Sequence, residues 1–349
     1  MKSNQIAFIK EESSIFVITS PFQVLCTYEA IQEFKIKDYL IIAVYIKDDT
    51  RTDQMFTTLD FFRLKYQKFC VYKNVSVHEL LKLRCWFGRK NVKKVKRAFV
   101  GDYRNAACLE LALGFLDRNG IVVYLDDGSS SINHLMGEYK FSKINRIIFG
   151  ILGKIAFFRN ITVGCSYYTI YSDIPSNMKV KENTLCSLRR NIMDSEQRGC
   201  YFIGTNPEVF CRVYSVTQEK YFLLLEKFLE KYRLKFPGSS LFYVFHGRDR
   251  FVDKTKLLLK NYGYTPLCLK EIVEMYIVQN RIYPQFVVGF MSSALYTIKK
   301  ICPKTMVESI MIGSDKLYLN VCEYYKKHGI EISENTIPTI LSSSSKSVY

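Results

Sequence analysis

Two adjacent carboxylates follow an apolar run in the stretch VYLDDGSSS, which spans Val123 to Ser131. Asp126 and Asp127 stand at the predicted end of a buried strand, and Gly128 can supply the positive φ of a sharp turn. A carboxylate at the rim of an apolar sheet is partly desolvated, and a second carboxylate beside it raises its proton affinity further. One interpretation is therefore a general base, and the other is an ordinary helix cap or Asx-turn.

Two further strand ends carry polar groups that could bind phosphate. His246 closes the apolar run LFYVF, and Arg248 and Arg250 behind it would make the pocket electropositive. Ser292 and Ser293 follow the run FVVGF and open a predicted helix, whose free amides favour an anion. Singly, such a histidine is more often structural and such a serine pair more often a helix cap. Together with a base in the first half of the chain, they indicate a group-transfer enzyme.

The elements that must position these residues alternate between strand and helix along the whole chain. Because most predicted strands are continuously apolar, the pattern favours a parallel α/β sheet with helices on both faces. The same order occurs twice, so we expect two doubly wound domains facing a central cleft, over residues 1–195 and 196–340, and a flexible tail over 341–349. The strands predicted in the first half are Ser14–Ser20, Tyr39–Ile46, Lys68–Tyr72, Arg97–Asp102, Ile121–Leu125 and Ile161–Tyr171.

The charge of the chain indicates an anionic partner or surface. Lys and Arg number 50 against 33 Asp and Glu, a formal net charge of +17, and seven basic residues fall between Arg84 and Arg97. Such a run is often only a solvated helix face. Nucleic acid, an anionic membrane and an anionic substrate would also suit it, but no nucleic-acid recognition signature is present. Among the functional interpretations we therefore favour a membrane surface over nucleic acid.

The cysteines and apolar segments indicate a cytoplasmic protein. The 11 cysteines fall singly, with no CxxC pair, which predicts reduced thiols and argues against structural zinc. The amino terminus lacks a signal-peptide pattern, and no window reaches the roughly 20 apolar residues that span a bilayer. The longest apolar stretch, Ile144 to Phe158, is either a buried helix or an interfacial segment that touches lipid.

The ordered motifs resemble those of bacterial sialyltransferases. LDDG, then FHGRD, then YPQFVVGFMSSALYTIKK, with ITSPFQVL near the start, are similar to the motifs of glycosyltransferase family 52, the lipooligosaccharide and capsule sialyltransferases. These motifs are an acidic-acidic-Gly triplet, a His-Pro pair and a Ser/Thr-rich segment. The likeness extends from about Ile15 to Lys300. It implies a GT-B fold of two Rossmann-like domains, a CMP-activated sugar as donor, and no metal or other cofactor.

The resemblance also implies which residues react and which bind the donor. Asp126 would deprotonate the acceptor hydroxyl, with Asp127 and Gly128 in support. His246 would bind the departing CMP phosphate and could protonate it. Gly247 stands where the family motif has proline, so this loop loses a fixed φ and becomes more flexible.

The remaining binding residues implied by the resemblance are less closely tied to a motif. Ser292 and Ser293 would hold the same phosphate, and Glu271 or Glu274 would hold the ribose hydroxyls. Acceptor-binding residues are expected in loops of the first domain, around Gln23 and Arg104.

These roles imply inverting transfer of sialic acid from CMP-sialic acid to a hydroxyl, with a galactose-terminated, lipid-linked surface glycan as acceptor. Such an enzyme would work in the cytoplasm or at the inner face of the membrane. A site that binds phosphate and cytidine does not select the sugar attached to them, so CMP-Kdo is an alternative donor. An alternative of another class is a non-enzymatic basic protein that binds anionic lipid or nucleic acid.

Overall fold

The computed structural model describes residues 14–46, 49–70, 94–103, 105–137, 166–176, 179–192, 195–312 and 316–335. The chain divides into two compact units, Met1–Ser187 and Leu188–Tyr349. The division lies near the boundary that the sequence placed after residue 195. Each unit contains one parallel sheet and several helices that connect its strands.

The first unit contains a seven-stranded parallel sheet. Its strands are β1 (Ser14–Ile18), β2 (Tyr39–Tyr45), β3 (Tyr66–Cys70), β4 (Val95–Val100), β5 (Leu116–Leu125), β6 (Ser166–Thr169) and β7 (Lys179–Glu182). They lie in the order β3-β2-β1-β4-β5-β6-β7, so the direction of winding reverses between β1 and β4. The described helices are α1 (Pro21–Glu33), α2 (Thr50–Phe61), α3 (Ala106–Phe115), α4 (Ser130–Leu135) and α5 (Cys186–Arg190).

The central strand β1 shows why this sheet forms. All five of its residues are buried, as expected for a strand covered on both faces. Phe16 stacks on Phe99 of β4 with ring centroids 4.4 Å apart. Helix α1 then begins directly after the strand, because the Ser20 side chain accepts from the Gln23 amide and Pro21 fits the first turn. The residues just after β1 are thereby fixed at the carboxyl end of the sheet.

The second unit contains a six-stranded parallel sheet. Its strands are β8 (Cys200–Ile203), β9 (Leu241–Val244), β10 (Tyr264–Leu267), β11 (Phe286–Phe290), β12 (Met306–Ile312) and β13 (Glu331–Asn335). The order β10-β9-β8-β11-β12-β13 is that of a Rossmann sheet, with its reversal between β8 and β11. The described helices are α6 (Pro207–Tyr214), α7 (Gln218–Lys235), α8 (Val252–Asn261), α9 (Val273–Gln279), α10 (Ser293–Ile301) and α11 (Lys316–Lys327).

A buried carboxylate ties helix α7 to the second sheet. Glu308 of β12 has a side chain only 2% exposed, and it accepts from the Tyr232 hydroxyl at 2.6 Å. Lys231 and Lys235 reach its two carboxylate oxygens at 3.1 and 2.9 Å. Burial alone would raise the pKa of Glu308, but these donors outweigh it and hold the pKa below its usual value. Glu308 is therefore ionised and paired within the core.

The structure confirms the predicted alternation of parallel strands and helices, and it corrects one boundary. The stretch NAACLELALGFLDRNG, from Asn105 to Gly120, predicts a helix that ends at Gly120, but α3 ends at Phe115 and Gly120 lies within β5. The pairing of β4 with β5 shifts register between Val95 and Arg97, opposite this part of β5. Asp117 also accepts from the Asn119 amide at 3.1 Å, which bends the chain away from the helical path.

Two predictions concern segments that are only partly described or not described at all. Residues 84–93 of the basic cluster and the apolar stretch Ile144–Phe158 lie outside the described residues. The described end of the cluster belongs to a strand, where Arg97 lies over the Phe34 ring at 5.7 Å. None of the described helices combines the length and apolar character needed to cross a bilayer.

Candidate active site

The predicted site residues follow strands at the carboxyl edge of each sheet. In doubly wound sheets, ligands bind beyond this edge, where the strand order reverses. In the first unit this edge carries Thr19–Gln23 after β1, Gly101 after β4 and the two aspartates after β5. In the second unit it carries His246 after β9 and Ser292 after β11. Each sheet therefore carries its own set of these residues along one edge.

Asp126 is buried within the first sheet rather than presented at its rim. Its side chain is 0% exposed and lies between β5 and β6. Thr169 donates its hydroxyl to one carboxylate oxygen at 2.6 Å, and the Ile170 amide donates to the other at 2.8 Å. Burial raises the pKa of Asp126 to about 7, although these hydrogen bonds pull it down. Asp126 therefore holds the end of β6 in place.

Asp127 lies at the rim and is held by side chains from two helices. Gln23 of α1 donates its amide to Oδ1 at 2.8 Å, and the Arg51 guanidinium of α2 lies 3.6 Å from the same oxygen. The Asp127 side chain is 5% exposed, whereas that of Arg51 is 44% exposed. The carboxylate is therefore fixed by one buried donor and one cation that faces solvent.

The turn after the two aspartates has the predicted form. Gly128 has φ 66°, which only glycine adopts without strain. The Asp127 amide donates to the Ser131 hydroxyl at 3.0 Å, and the Ser130 hydroxyl donates back to the Asp127 carbonyl at 2.6 Å. The turn and the start of helix α4 are therefore present, but the N-cap of that helix is Ser129 and not an aspartate.

Gln23 does not sit where an acceptor-binding side chain was expected. It is 0% exposed, and both ends of its amide contact protein atoms. Arg104, the other expected acceptor ligand, lies outside the described residues. Arg51 and Thr169 were missed, because nothing in the local sequence marks a helix start or a strand end as a partner of a distant carboxylate.

His246 is exposed, and one of its two ring nitrogens is committed. The Arg248 amide donates to Nδ1 at 3.1 Å, and the Asp249 amide donates to the His246 carbonyl at 2.9 Å. Because a backbone N–H can only donate, Nδ1 accepts and the proton of the neutral ring resides on Nε2. This contact orients the ring even though Gly247 replaces the expected proline. In this tautomer Nε2 is the ring nitrogen that carries the proton and can act as a donor.

Ser292 and Ser293 stand at the start of helix α10, as predicted. Ser292 is the N-cap, and its hydroxyl accepts from the Ala294 amide at 3.3 Å. The Tyr325 hydroxyl donates to the Ser292 carbonyl at 3.1 Å, which fixes the turn from the other side. Gly289 in β11 is required, because a Cβ there would lie 2.7 Å from the Ile203 carbonyl oxygen. The ordinary cap exists, and hydroxyls at a helix start can also face an anion.

The two candidate ribose ligands differ in exposure. Glu274 lies in the first turn of α9 and is 5% exposed, and burial raises its pKa to about 7. Glu271 lies at a bend just before that helix and is partly exposed. Glu271 therefore has the better access to a ligand, whereas Glu274 is mainly a core residue. Among the described residues, no group of three His, Cys, Asp or Glu side chains could hold a metal ion.

Solved structures share the fold of this chain. An α/β-galactoside α-2,3-sialyltransferase from Photobacterium phosphoreum matches with a TM-score of 0.53 and 13% identity, over 93% of this chain and 99% of that one. A 2,6-sialyltransferase from Photobacterium sp. JT-ISH-224, solved with CMP and lactose, matches with a TM-score of 0.54 and 13% identity, over 92% of this chain and 78% of that one. This chain therefore has their GT-B fold, which confirms the predicted fold class.

The likeness is one of structure alone. No protein-family model matches the sequence, and no curated protein matches it either.

Proposed function

We propose that this protein is an inverting glycosyltransferase that moves sialic acid from CMP-sialic acid to a galactose hydroxyl. The observation that carries the proposal is the fixed Asp127 carboxylate at the carboxyl edge of the first sheet, in a chain with the fold of two galactoside sialyltransferases. One of those enzymes was solved with CMP and lactose, which supports the same donor nucleotide and acceptor class here. Fold alone never fixes function, so the residues must carry the chemistry.

The acceptor base is better assigned to Asp127 than to Asp126. A general base must come within hydrogen-bond reach of the proton it removes. Asp126 is 0% exposed and its two oxygens accept from Thr169 and Ile170, so it has no surface for a sugar hydroxyl. Asp127 lies at the rim beside half-exposed Arg51. The geometry thus supports the second aspartate as base and the first as its buried support.

The reaction that these residues can perform is a single displacement. The acceptor oxygen attacks the anomeric carbon, its proton passes to Asp127, and the bond between that carbon and the phosphate oxygen of CMP breaks. His246 Nε2–H, Ser292, Ser293 and the amides of α10 would stabilise the charge on the departing phosphate. Attack on the face opposite the leaving group inverts the anomeric configuration.

The setting of the reaction extends this proposal. A galactose-terminated, lipid-linked surface glycan is the acceptor that the motif resemblance implies, and the net charge of +17 suits work at an anionic membrane surface.

Release of CMP in the presence of lactose tests the proposal. Purified protein is incubated with lactose and with CMP-sialic acid, CMP-Kdo or UDP-galactose, and CMP or UDP is quantified. We expect nucleotide release from CMP-sialic acid that depends on lactose. If CMP were released only from CMP-Kdo, the donor would be CMP-Kdo and not CMP-sialic acid. If no donor released nucleotide with any galactoside, the enzymatic proposal would be refuted in favour of a binding protein.

A further inference from the structure

Gln23 lies in the first turn of helix α1. One end of its side-chain amide contacts Thr19, just before the helix, and the other end contacts Asp127. The sequence Ser20-Pro21-Phe22-Gln23 matches a capping box, in which a glutamine reaches back to the start of its helix. Gln23 reaches one residue further back than the N-cap Ser20: its Oε1 accepts from the Thr19 amide at 2.7 Å and from the Thr19 hydroxyl at 3.2 Å. Because the Thr19 amide can only donate, the orientation of the Gln23 side chain is settled.

The opposite end of the amide is committed to the candidate base. Nε2 of Gln23 donates to Oδ1 of Asp127 at 2.8 Å, across a sequence separation of 104 residues. Gln23 is 0% exposed, so this hydrogen bond to a carboxylate forms away from water, where such bonds are strong. A neutral donor stabilises the ionised carboxylate and fixes its rotamer without adding a second charge.

A glycine on a third element makes room for this arrangement. A Cβ at Gly101, just after β4, would lie 2.2 Å from Oε1 and 2.4 Å from Cδ of Gln23. Gly101 is not in the left-handed region, and its amide donates to the Val17 carbonyl at 2.9 Å. The three atoms nearest to such a Cβ all belong to the Gln23 side chain, so we expect Gly101→Ala to act on that side chain first.

We propose that Gln23 is a positioning residue for Asp127, with Thr19 and Gly101 setting its geometry. The inference rests on the proposed function, in which Asp127 is the base. It assigns Gln23 a role through Asp127 and not a contact with the acceptor. The competing explanation is that Gln23 only caps helix α1, and the test must separate these two roles.

Three variants separate them. Gln23→Glu keeps a capping-box residue but replaces the donor with a second carboxylate. Gln23→Met removes both functions, and Gly101→Ala displaces the amide without changing Gln23. Gln32→Met, at an exposed position on the same helix, is the matched control.

We expect kcat with CMP-sialic acid and lactose to fall roughly 10- to 100-fold in all three variants, the size expected when a hydrogen bond to a charged group is lost. The KM for the donor should stay within about twofold, because the proposed donor ligands lie in the second unit. In Gln23→Glu the acidic limb of the pH profile should move to higher pH, because a second carboxylate then replaces the donor that stabilises the Asp127 carboxylate. Gln32→Met should match wild type.

A second measurement needs no turnover. Unfolding midpoints are compared for Gln23→Met, Asp127→Ala and the double variant, and we expect Gln23→Met to lower the midpoint clearly less when Asp127 is absent. Equal effects in both backgrounds would overturn the contact, whether or not the chain is an enzyme. Unchanged kcat and pH profile in Gln23→Glu and Gly101→Ala would overturn the positioning role and leave only a cap. A wild type without turnover would refute the proposed function, while the midpoints would still decide the contact.

Discussion

Two neighbouring aspartates just beyond the end of β5 have different environments. Asp126 points into the sheet toward Thr169 and Ile170, and burial raises its pKa to about 7. Asp127 meets Gln23 and Arg51 at the rim. Adjacent carboxylates that differ this much in environment can take separate roles in one reaction.

Amide substitutions should therefore separate the two residues in turnover. Asp127→Asn removes the proposed base without changing its size, and we expect kcat to fall by roughly 10²- to 10⁴-fold. Asp126→Asn should cost about tenfold or less, because Asn can still accept from one of the two donors. Steady-state release of CMP measures both. A larger loss in Asp126→Asn than in Asp127→Asn would return the base assignment to the first aspartate.

Asp126 should also make the stability of the folded chain depend on pH. Its pKa is about 7 in the folded chain against 3.8 for an unperturbed aspartate, so between these pH values the folded chain binds more protons than the unfolded chain. The contribution of this group to stability is thus full below about pH 4 and declines by roughly 4 kcal/mol as pH rises to 7. Asp126→Asn should flatten this decline in denaturation midpoints measured from pH 4 to 8; an unchanged slope would contradict it.

At the scale of elements, strand ends could be predicted from sequence but their partners could not. The apolar runs correctly predicted β1, β2 and β5, and with them the positions of Thr19–Gln23 and the aspartates. Short polar strands escaped detection, because β7 (KVKE) and β13 (EISEN) lie at sheet edges and lack an apolar run. Gly120 predicts a helix end but lies within β5, since a glycine in a strand has no distinctive sequence signal.

The same limit applies to the candidate site. Its polar strand-end residues carry a local signal, and they could be named from the sequence. The contacts of Asp127 with Gln23 and Arg51 depend on which strands are neighbours in the sheet, and strand order is set by the tertiary fold. This is also why Gln23 was expected to face the acceptor and instead proved to be buried.

Helix α7 is held to the second sheet by the buried carboxylate of Glu308. Glu308→Gln should remove a charge that Tyr232, Lys231 and Lys235 stabilise, and we expect a loss of about 2 kcal/mol at pH 7. Because folding lowers the pKa of Glu308, its contribution is present above the usual glutamate pKa and is lost as pH falls through the folded value.

Denaturation at pH 7 and at pH 3 checks this expectation about Glu308. Glu331→Gln is the control, since Glu331 is 70% exposed and its carboxylate lies as far as 4.0 Å from the Lys235 ammonium. A loss in Glu308→Gln that did not shrink at pH 3, or one equal to that of Glu331→Gln, would argue against the buried charge.

At the scale of the whole molecule, two Rossmann-like units divide the expected work between acceptor and donor. Helix α10 and His246 belong to the second unit, and the proposed base belongs to the first. The fold comparison supports the two-unit GT-B architecture, and the division of roles belongs to the proposed function. It also means that nucleotide binding can be tested apart from catalysis.

CMP should stabilise the full chain against heat. A ligand at 100 times its Kd adds about 2.7 kcal/mol to the state that binds it, which raises the Tm by a few degrees. His246→Gln should reduce this shift, whereas Asp127→Asn should leave it unchanged. Scanning calorimetry with CMP and with inorganic phosphate measures it. The absence of any CMP shift would favour a non-enzymatic basic protein.

The central claim is an inverting sialyl transfer, and NMR of the product tests it most directly. Protein, lactose and CMP-sialic acid labelled at the anomeric carbon are combined, and the configuration of that carbon is read in the disaccharide-linked product. We predict a sialylated lactose whose anomeric configuration is opposite to that of the donor, formed in a reaction that Asp127→Asn slows by roughly 10²- to 10⁴-fold. A product with the donor's configuration, or labelled sialic acid released only to water, would contradict the account.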